Sequence, residues 1–412
     1  MRIVYIHQYY CTPRMTGGIR SYEQARRLVA RGHEVHVITT DITERRRELG
    51  WRGLGWRRTE DDGVHVHWFA VPYSNSMSYA RRLRAFAEFM VLAAVKATTL
   101  RADLVFATST PLTVAVPGVL AARLRRVPFV FEVRDLWPEV PIEMGALRNP
   151  VTRRLAGALA AFAYRNAAEV VALSPGMAAG VRARHPGVPT TIIPNAADLA
   201  MFEVRPEAVR RFRAEHRWLG DRPLIVYTGA LGAVNGVEYL VRAARRMREL
   251  DPEVQVLIVG HGREWEQTRQ LAAEHGLLDR SVHMWAKVPK ADLPVILGAA
   301  TLSSSLVRPI RALWDNSANK FFDSLAAGRP IAINYGGWQS DLIRQSGAGL
   351  VLDPYDVDSA GEVLARRVRD EAWLRGARAA AYHLAVEQFS RDMLFDRFSD
   401  VLNRAVGAGR VS

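Results

Sequence analysis

Short runs rich in β-branched and aromatic residues alternate along the chain with stretches whose apolar positions recur every three or four residues. In the first half the runs are Arg2 to His7, Glu34 to Thr39, Asp103 to Thr108 and Phe129 to Val133. Between the first two, Ile19, Tyr22, Ala25, Leu28 and Val29 share one helical face, Arg20, Arg26, Arg27 and Arg31 fall elsewhere, and Gly32 closes the helix. Glu169 to Ser174, a helix beginning near Pro175, and Thr191 to Asn195 complete this series, after which Ala196 to Arg205 loses periodicity and reads as a linker.

A second series restarts at Leu224 to Gly229 and continues through Val254 to Gly260, Ser281 to Trp285, Leu302 to Leu306 and Pro330 to Asn334. From Val357 onward the pattern is almost wholly helical. Its last apolar stripe, Met393, Phe395, Phe398, Val401 and Leu402, needs a surface to cover.

The rhythm predicts an α/β protein of two doubly wound parallel sheets. At 412 residues the chain is long enough for two cores. We expect one domain over 1–200, joined by a returning helix at 391–412, and a second over 201–390. Ligands of such sheets gather beyond the carboxyl ends of the strands, so a cleft there is the expected place for chemistry.

Composition narrows the class. With 49% hydrophobic and 24% charged residues the chain is globular rather than disordered. A single cysteine, Cys11, excludes an internal disulfide framework or a multi-cysteine zinc site and fits a reducing cytoplasm. The opening residues lack the apolar region of a secretory signal, and no apolar run is long enough to span a bilayer. The formal charge of +14 favours polyanionic partners, and nearly all of it is arginine. The only lysines are Lys96, Lys287, Lys290 and Lys320, three of them between 287 and 320.

Two segments carry candidate chemistry. Thr16, Gly17, Gly18 and Ile19 follow the first strand and open the first helix, where bare amides and the positive helix end suit an anion, with Arg20 beside them. Alone, such a pair of glycines is as readily a tight turn. The run Trp314 to Pro330 reads as a loop carboxylate, Asp315, an Asn/Ser cap, a helix and a glycine stop. Asp323 lies two turns into that helix, about 12 Å from Asp315 along the rise of an α-helix, a span that matches a nucleotide sugar. The same residues would also serve as a plain N-cap and a solvated carboxylate.

In order along the chain, Gly17-Gly18, Arg31-Gly-His33-Glu-Val, Ile193-Pro-Asn195-Ala-Ala-Asp198, Tyr227-Thr-Gly229, Gly260-His-Gly262 and Asn319 to Pro330 resemble the motifs of retaining GT-B glycosyltransferases of family 4. Phe131 to Glu139 and Trp314 to Lys320 look further like the bacterial branch that includes O-antigen fucosaminyltransferase-like enzymes.

The resemblance implies two Rossmann-like domains. A nucleotide-diphosphate sugar, most readily a UDP-sugar, would be held by the second and a hydroxyl acceptor, a lipid-linked saccharide or a small secondary metabolite, by the first. Asp323 would hold the ribose and Asp315 the donor sugar, with the amides of Asn316, Ser317, Ala318, Asn319 and Lys320 on the phosphates. Gly229, Asn235, Gly262 and Val288 would complete the donor side.

Both acidic positions are Asp where Glu is usual in the family. The customary phosphate-binding Arg and Lys read Ala230 and Asn235 here. A diphosphate leaving group needs positive charge in the transition state. The candidates are Arg20, Arg308, Arg311 and Lys320, with Lys320 and Arg20 preferred. Arg134, Asp135 and Glu139 follow the fourth run at its carboxyl end, and His7 ends the first; these are the catalytic and acceptor-side candidates there. His33, His65 and His67 are assigned to turns and strand faces. The front-face displacement that the resemblance implies needs no enzyme nucleophile, so no cofactor, metal ligand set or catalytic histidine is assigned.

The segment from Tyr79 to Val95 combines basic residues with an apolar helix and has two readings, a domain helix or a helix resting on anionic lipid at the inner face of the membrane. Two alternatives to the enzyme stand beside it: a GT-B relative that binds without turnover, prompted by the absent cation pair, and a basic nucleic-acid-binding protein, for which no motif speaks. Oligomeric state has no signal in the sequence.

Overall fold

The computed structural model describes residues 1–40, 55–73 and 77–409. They form two compact units: the first takes 1–194, 315–317 and 394 onward, the second 195–314 and 318–393.

The first unit is built on β1 (Arg2–Ile6), β2 (Glu34–Thr40), β3 (Trp56–Asp61), β4 (Val64–Phe69), β5 (Leu104–Thr108), β6 (Phe129–Val133), β7 (Glu169–Ala172) and β8 (Thr190–Ile192). Their order is β3-β4-β2-β1-β5-β6-β7-β8, parallel except for the edge strand β3, which runs antiparallel to β4. β1, β5 and β6 are buried along nearly their whole length, so they read as continuous apolar runs. Val4, Ile6, Ile38, Phe89, Val105, Phe129 and Phe131 lie in one core. The hairpin β3–β4 has no counterpart in the runs read from sequence. Most of β3 is exposed and charged, so it lacks the apolar alternation that marks a half-buried strand.

The second unit is built on β9 (Leu224–Thr228), β10 (Gln255–Val259), β11 (Val282–Trp285), β12 (Leu302–Ser305), β13 (Ile331–Ile333) and β14 (Gly349–Val351). All pair in parallel in the order β11-β10-β9-β12-β13-β14. Ile225, Tyr227, Val256, Ile258 and Leu302 join Leu240, Val241 and Met247 of the helix Glu238–Leu250 in its core.

The stretch read as an aperiodic linker is instead structured within this unit. Asp198 caps the short helix Leu199–Phe202 by accepting from the amide of Met201 at 3.2 Å and pairs with Arg391 at 2.8 Å. Ala197 donates to the carbonyl of Phe389 at 2.7 Å.

The chain ends in the helices Val357–Arg367, Glu371–Glu387 and Arg391–Gly409. From Leu394 the last helix belongs to the first unit, where Phe398, Val401 and Leu402 are buried and the Phe398 ring meets Phe106 edge-on at 5.0 Å. This is the surface that the terminal stripe required. Among the described residues, no helix is long and apolar enough to cross a membrane.

Candidate active site

In the second unit the loops beyond β9, β10, β11 and β12 converge on the amino end of the helix Asn319–Ala326. Gly229 turns the chain out of β9 at φ +143°, and its amide donates to Val259 at 2.9 Å. Leu231 donates to His261 at 3.1 Å and Glu264 back to Leu231 at 2.9 Å, binding this turn to the loop that follows β10. The two loops touch through bare backbone. A Cβ at Gly260 would lie 1.8 Å from the Gly229 carbonyl oxygen, and one at Gly262 would lie 2.3 Å from that of Leu231. Only glycine permits this approach.

Lys320 reaches into the turn. Its Nζ donates to Tyr227 Oη and to Asn235 Oδ1, each at 3.1 Å, and lies 4.6 Å from the Tyr227 ring centroid. A Cβ at Gly229 would stand 2.9 Å from Lys320 Cε, so the glycine also makes room for the ammonium stem. Desolvation lowers the amine to a pKa of about 8, against the opposing pull of Asp323. Asn235, which replaces a customary cation, orients the lysine through its amide oxygen.

Asp323 is not the solvated carboxylate that a plain surface helix would carry. It is buried and forms an ion pair with Lys290, itself buried, whose ammonium also lies 5.3 Å from the Phe202 ring. Lys290 is a residue that the sequence reading missed as a site candidate. It stands in a short turn two residues after the half-buried Val288. The Asn/Ser cap is also corrected: the helix runs from Asn319, and its N-cap residue is Ala318, whose side chain makes no capping bond.

Arg308 and Arg311 divide. Arg308 bonds Glu264 at 2.8 Å beside Gly236, whereas Arg311 is exposed with its guanidinium 5.0 Å from the Trp314 ring. Asp315, Asn316 and Ser317 group with the first unit. There the Asp315 carboxylate occupies the space above Gly176, near the start of the helix Pro175–Arg184: a Cβ on that glycine would meet its Cγ at 2.1 Å.

Within the first unit the structure brings together His7, Arg134 and Asp135 beyond the carboxyl ends of β1 and β6. Arg134 Nη1 donates to His7 Nε2 at 3.3 Å, and its amide donates to Ser109 Oγ at 3.0 Å. Burial and the Arg134 charge hold His7 well below the usual histidine range, so the ring is neutral. Asp135 accepts from Thr110 Oγ1 at 2.9 Å, and burial raises its carboxyl. Glu139 pairs with Arg184.

Arg20 does not sit where the sequence reading put it. It lies on the buried face of the helix Arg20–Ala30: Nε and Nη2 donate to Glu132 at 2.9 and 2.8 Å, and the guanidinium also donates to the carbonyls of Ile193 and Pro194. Burial would raise Glu132, but Arg20 outweighs it and keeps the carboxyl below its ordinary value. With its charge compensated and its donors engaged, Arg20 fastens β6 to the strand-β8 loop instead of facing an anion. Gly17 adopts φ +147° over Cys11, whose Sγ would lie 2.7 Å from an added Cβ. Gly18 remains in the loop that leads into the helix.

Two such sheets, each with its connecting helices and with loops gathered beyond the strand ends, define the class of doubly wound α/β proteins. More narrowly, residues 17–196 match the glycosyl transferase 4-like domain and residues 209–383 the glycosyl transferases group 1 domain, so the chain belongs to the GT-B glycosyltransferases of family 4.

A GDP-mannose-dependent alpha-(1-6)-phosphatidylinositol monomannoside mannosyltransferase of Mycolicibacterium smegmatis is 24% identical over 51% of this chain and 55% of that protein. The alpha-D-kanosaminyltransferase of Streptomyces kanamyceticus is 25% identical over 50% of this chain and 53% of that protein. The chain thus spans little more than half the length of these relatives. Neither is a fucosaminyltransferase, so the family stands and the finer branch read from the sequence does not follow from these relatives.

In fold the chain is similar to Anabaena HepE in complex with UDP and glucose, at TM-score 0.72 and 18% identity over 98% of this chain and 100% of that one. It is also similar to sucrose-phosphate synthase from Thermosynechococcus elongatus, at TM-score 0.76 and 16% identity over 99% of both.

Proposed function

We propose that the protein is a retaining glycosyltransferase that takes a sugar from a nucleoside-diphosphate donor and passes it to a hydroxyl acceptor. The observation that carries this is the Lys320 ammonium over the Gly229 turn, held by Tyr227 and Asn235 where the family's customary cations are missing. An ammonium with two neutral partners keeps its charge uncompensated by a direct carboxylate contact, which suits it to a leaving diphosphate. Arg308, neutralised by Glu264, is the lesser source.

On this reading Lys320 stabilises the departing phosphate oxygens. Amides of the Gly229 and Gly262 loops and of the helix start at Asn319 line the diphosphate, Val288 lies on the donor side, and Asp323 receives the ribose hydroxyls. Asp315 is the sugar-side carboxylate by the family pattern. His7, Arg134 and Asp135 serve the acceptor side. The departing phosphate oxygen takes the acceptor proton on the face of attack, which leaves the anomeric configuration unchanged.

The sequence reading favours UDP, whereas the sequence relatives carry GDP-mannose in their names. A panel of UDP- and GDP-sugars, scored by thermal shift and then by turnover against lipid-linked and soluble hydroxyl acceptors, tests both. Stabilisation by a nucleotide sugar that is lost in Lys320→Met, with a product of retained anomeric configuration, supports the proposal. Stabilisation without turnover against any acceptor favours the binding-protein alternative, which rests on Ala230 and Asn235 standing where the customary cations would be.

A further inference from the structure

Away from this site, at the start of β2 and β4, three side chains of metal-ligating type meet. β2 and β4 are parallel neighbours, with His36 opposite His65 and Ile38 opposite His67. Residues two apart on a strand share a face, so Glu34 and His36 on β2 face the same way, as do His65 and His67 on β4. Glu34, His36 and His65 each present one ligand atom, all within 4.8 Å of one another. The closest pair, Glu34 Oε1 and His36 Nε2, is 2.8 Å apart.

We infer that Glu34, His36 and His65 form a binding site for a divalent transition ion of the zinc type. A tetrahedral zinc ion with bonds near 2.0–2.2 Å separates its donor atoms by about 3.4 Å, and the present spread closes to that with side-chain movement alone. Glu34 is exposed and His65 half-buried, so both can move. Two imidazoles and a carboxylate suit zinc, cobalt or nickel better than the hard cations calcium and magnesium, and leave one position for water.

The His36 ring is held in place from both sides. Its Nδ1 is 3.2 Å from His67 Nε2, and His67 is almost wholly buried. Without an ion Nε2–H donates to Glu34; with an ion bound the proton moves to Nδ1, which then donates to His67 Nε2 and leaves the Nε2 lone pair for the metal. This is the outer hydrogen bond that fixes ring and tautomer in metal-bound histidines.

The cationic groups around the cluster set the competition. Arg58 Nη2 donates to His65 Nδ1 at 2.9 Å, and Glu60 lies 3.6 Å from the same nitrogen. Arg58 is exposed, and its charge beside the cluster opposes a bound cation. Lys96 stands over the Trp56 ring at 4.0 Å, and Arg2 is paired with Asp103. Because the cluster lies at the amino ends of the strands and the proposed acceptor residues beyond the carboxyl ends, the ion would tie β4 to β2 without entering the transfer reaction.

The test uses full-length, tag-free protein stripped with a chelator. Zn²⁺ is titrated in competition with a chromophoric chelator, and Co²⁺ is added separately to read the absorption of a tetrahedral site. One ion per chain and a tetrahedral cobalt spectrum are expected. His65→Ala and Glu34→Gln, at accessible positions, should abolish the spectrum and weaken Zn²⁺ by tenfold or more. His67→Ala should weaken it by about 10–100-fold, as loss of an outer-shell partner does. Arg58→Ala should tighten it, and turnover should be the same with and without Zn²⁺. Zn²⁺ binding that is absent, or that persists unchanged in His65→Ala and Glu34→Gln, overturns the site and leaves the cluster as a hydrogen-bonded network.

Discussion

Lys320 and Arg20 are both cations beside glycine-bearing turns, yet their surroundings give them opposite tasks. Lys320 donates to a phenol and an amide, so its charge is available to a ligand. Because its folded-state pKa is lowered to about 8, it is charged below that pH and neutral above it. Donor affinity should therefore fall as pH rises through about 8, with the midpoint displaced upward when the diphosphate is present; titration calorimetry across pH 6.5–9.5 measures it. Lys320→Met should flatten that profile and cost about 1.5–3 kcal/mol of donor binding, roughly ten- to a hundredfold.

Arg20→Ala acts on stability instead. It strands Glu132 in the interior, and chemical denaturation should show a loss of about 3–5 kcal/mol. The sequence reading joined these two residues because Lys320 lies on the helix expected to face the phosphates and Arg20 lies beside the glycine loop of the first domain. It could not see Glu132 behind Arg20, since that partner lies more than a hundred positions along the chain, on β6, two strands from β1.

At the scale of elements, the helix Asn319–Ala326 and the loops around it were legible in outline. The run Asn319 to Pro330 gave the helix and its glycine stop, and the glycines at 229, 260 and 262 stood out as motif positions of the family resemblance. The partner of Asp323 was not. Lys290 sits in a short turn between Pro289 and Ala291 with no periodic signal, and only the fold brings it to the helix.

The pair changes how Asp323 is to be tested. Asp323→Ala leaves Lys290 buried and uncompensated, with an expected loss of about 3–5 kcal/mol in denaturation, whereas Asp323→Leu combined with Lys290→Met should recover most of it. Donor binding measured in the double variant then reports the carboxylate alone. Gly262→Ala should push the Leu231 backbone away and abolish donor binding. Ala at Gly347, where φ is +75° but nothing lies within 4 Å, should cost only backbone strain. The edge strand β3 was missed for the reason opposite to Lys290: its residues are present and local, but an exposed, charged strand has no apolar alternation to read.

For the molecule as a whole, the two series of strands and the returning terminal stripe were written plainly in the order of apolar runs, because parallel strands buried on both faces need continuous apolar segments. Phe398→Ala should destabilise the first unit by about 3–5 kcal/mol, with nucleotide-sugar binding by the second unit retained at temperatures where both stay folded. Calorimetry with and without donor separates the two effects.

The segment that closes the first unit follows the whole of the second unit along the chain and is made after it. While the ribosome still holds residues beyond Leu394, the body that contains β1 to β8 has been synthesised but lacks the helix that seals Phe106. The stretch from 195 to 393, by contrast, already carries nearly all of its own side chains. Order of completion therefore runs against order of synthesis, the later-made unit closing first. A chain stopped at Met393 should reach the chaperones with the second unit sound and the first with its apolar face uncovered.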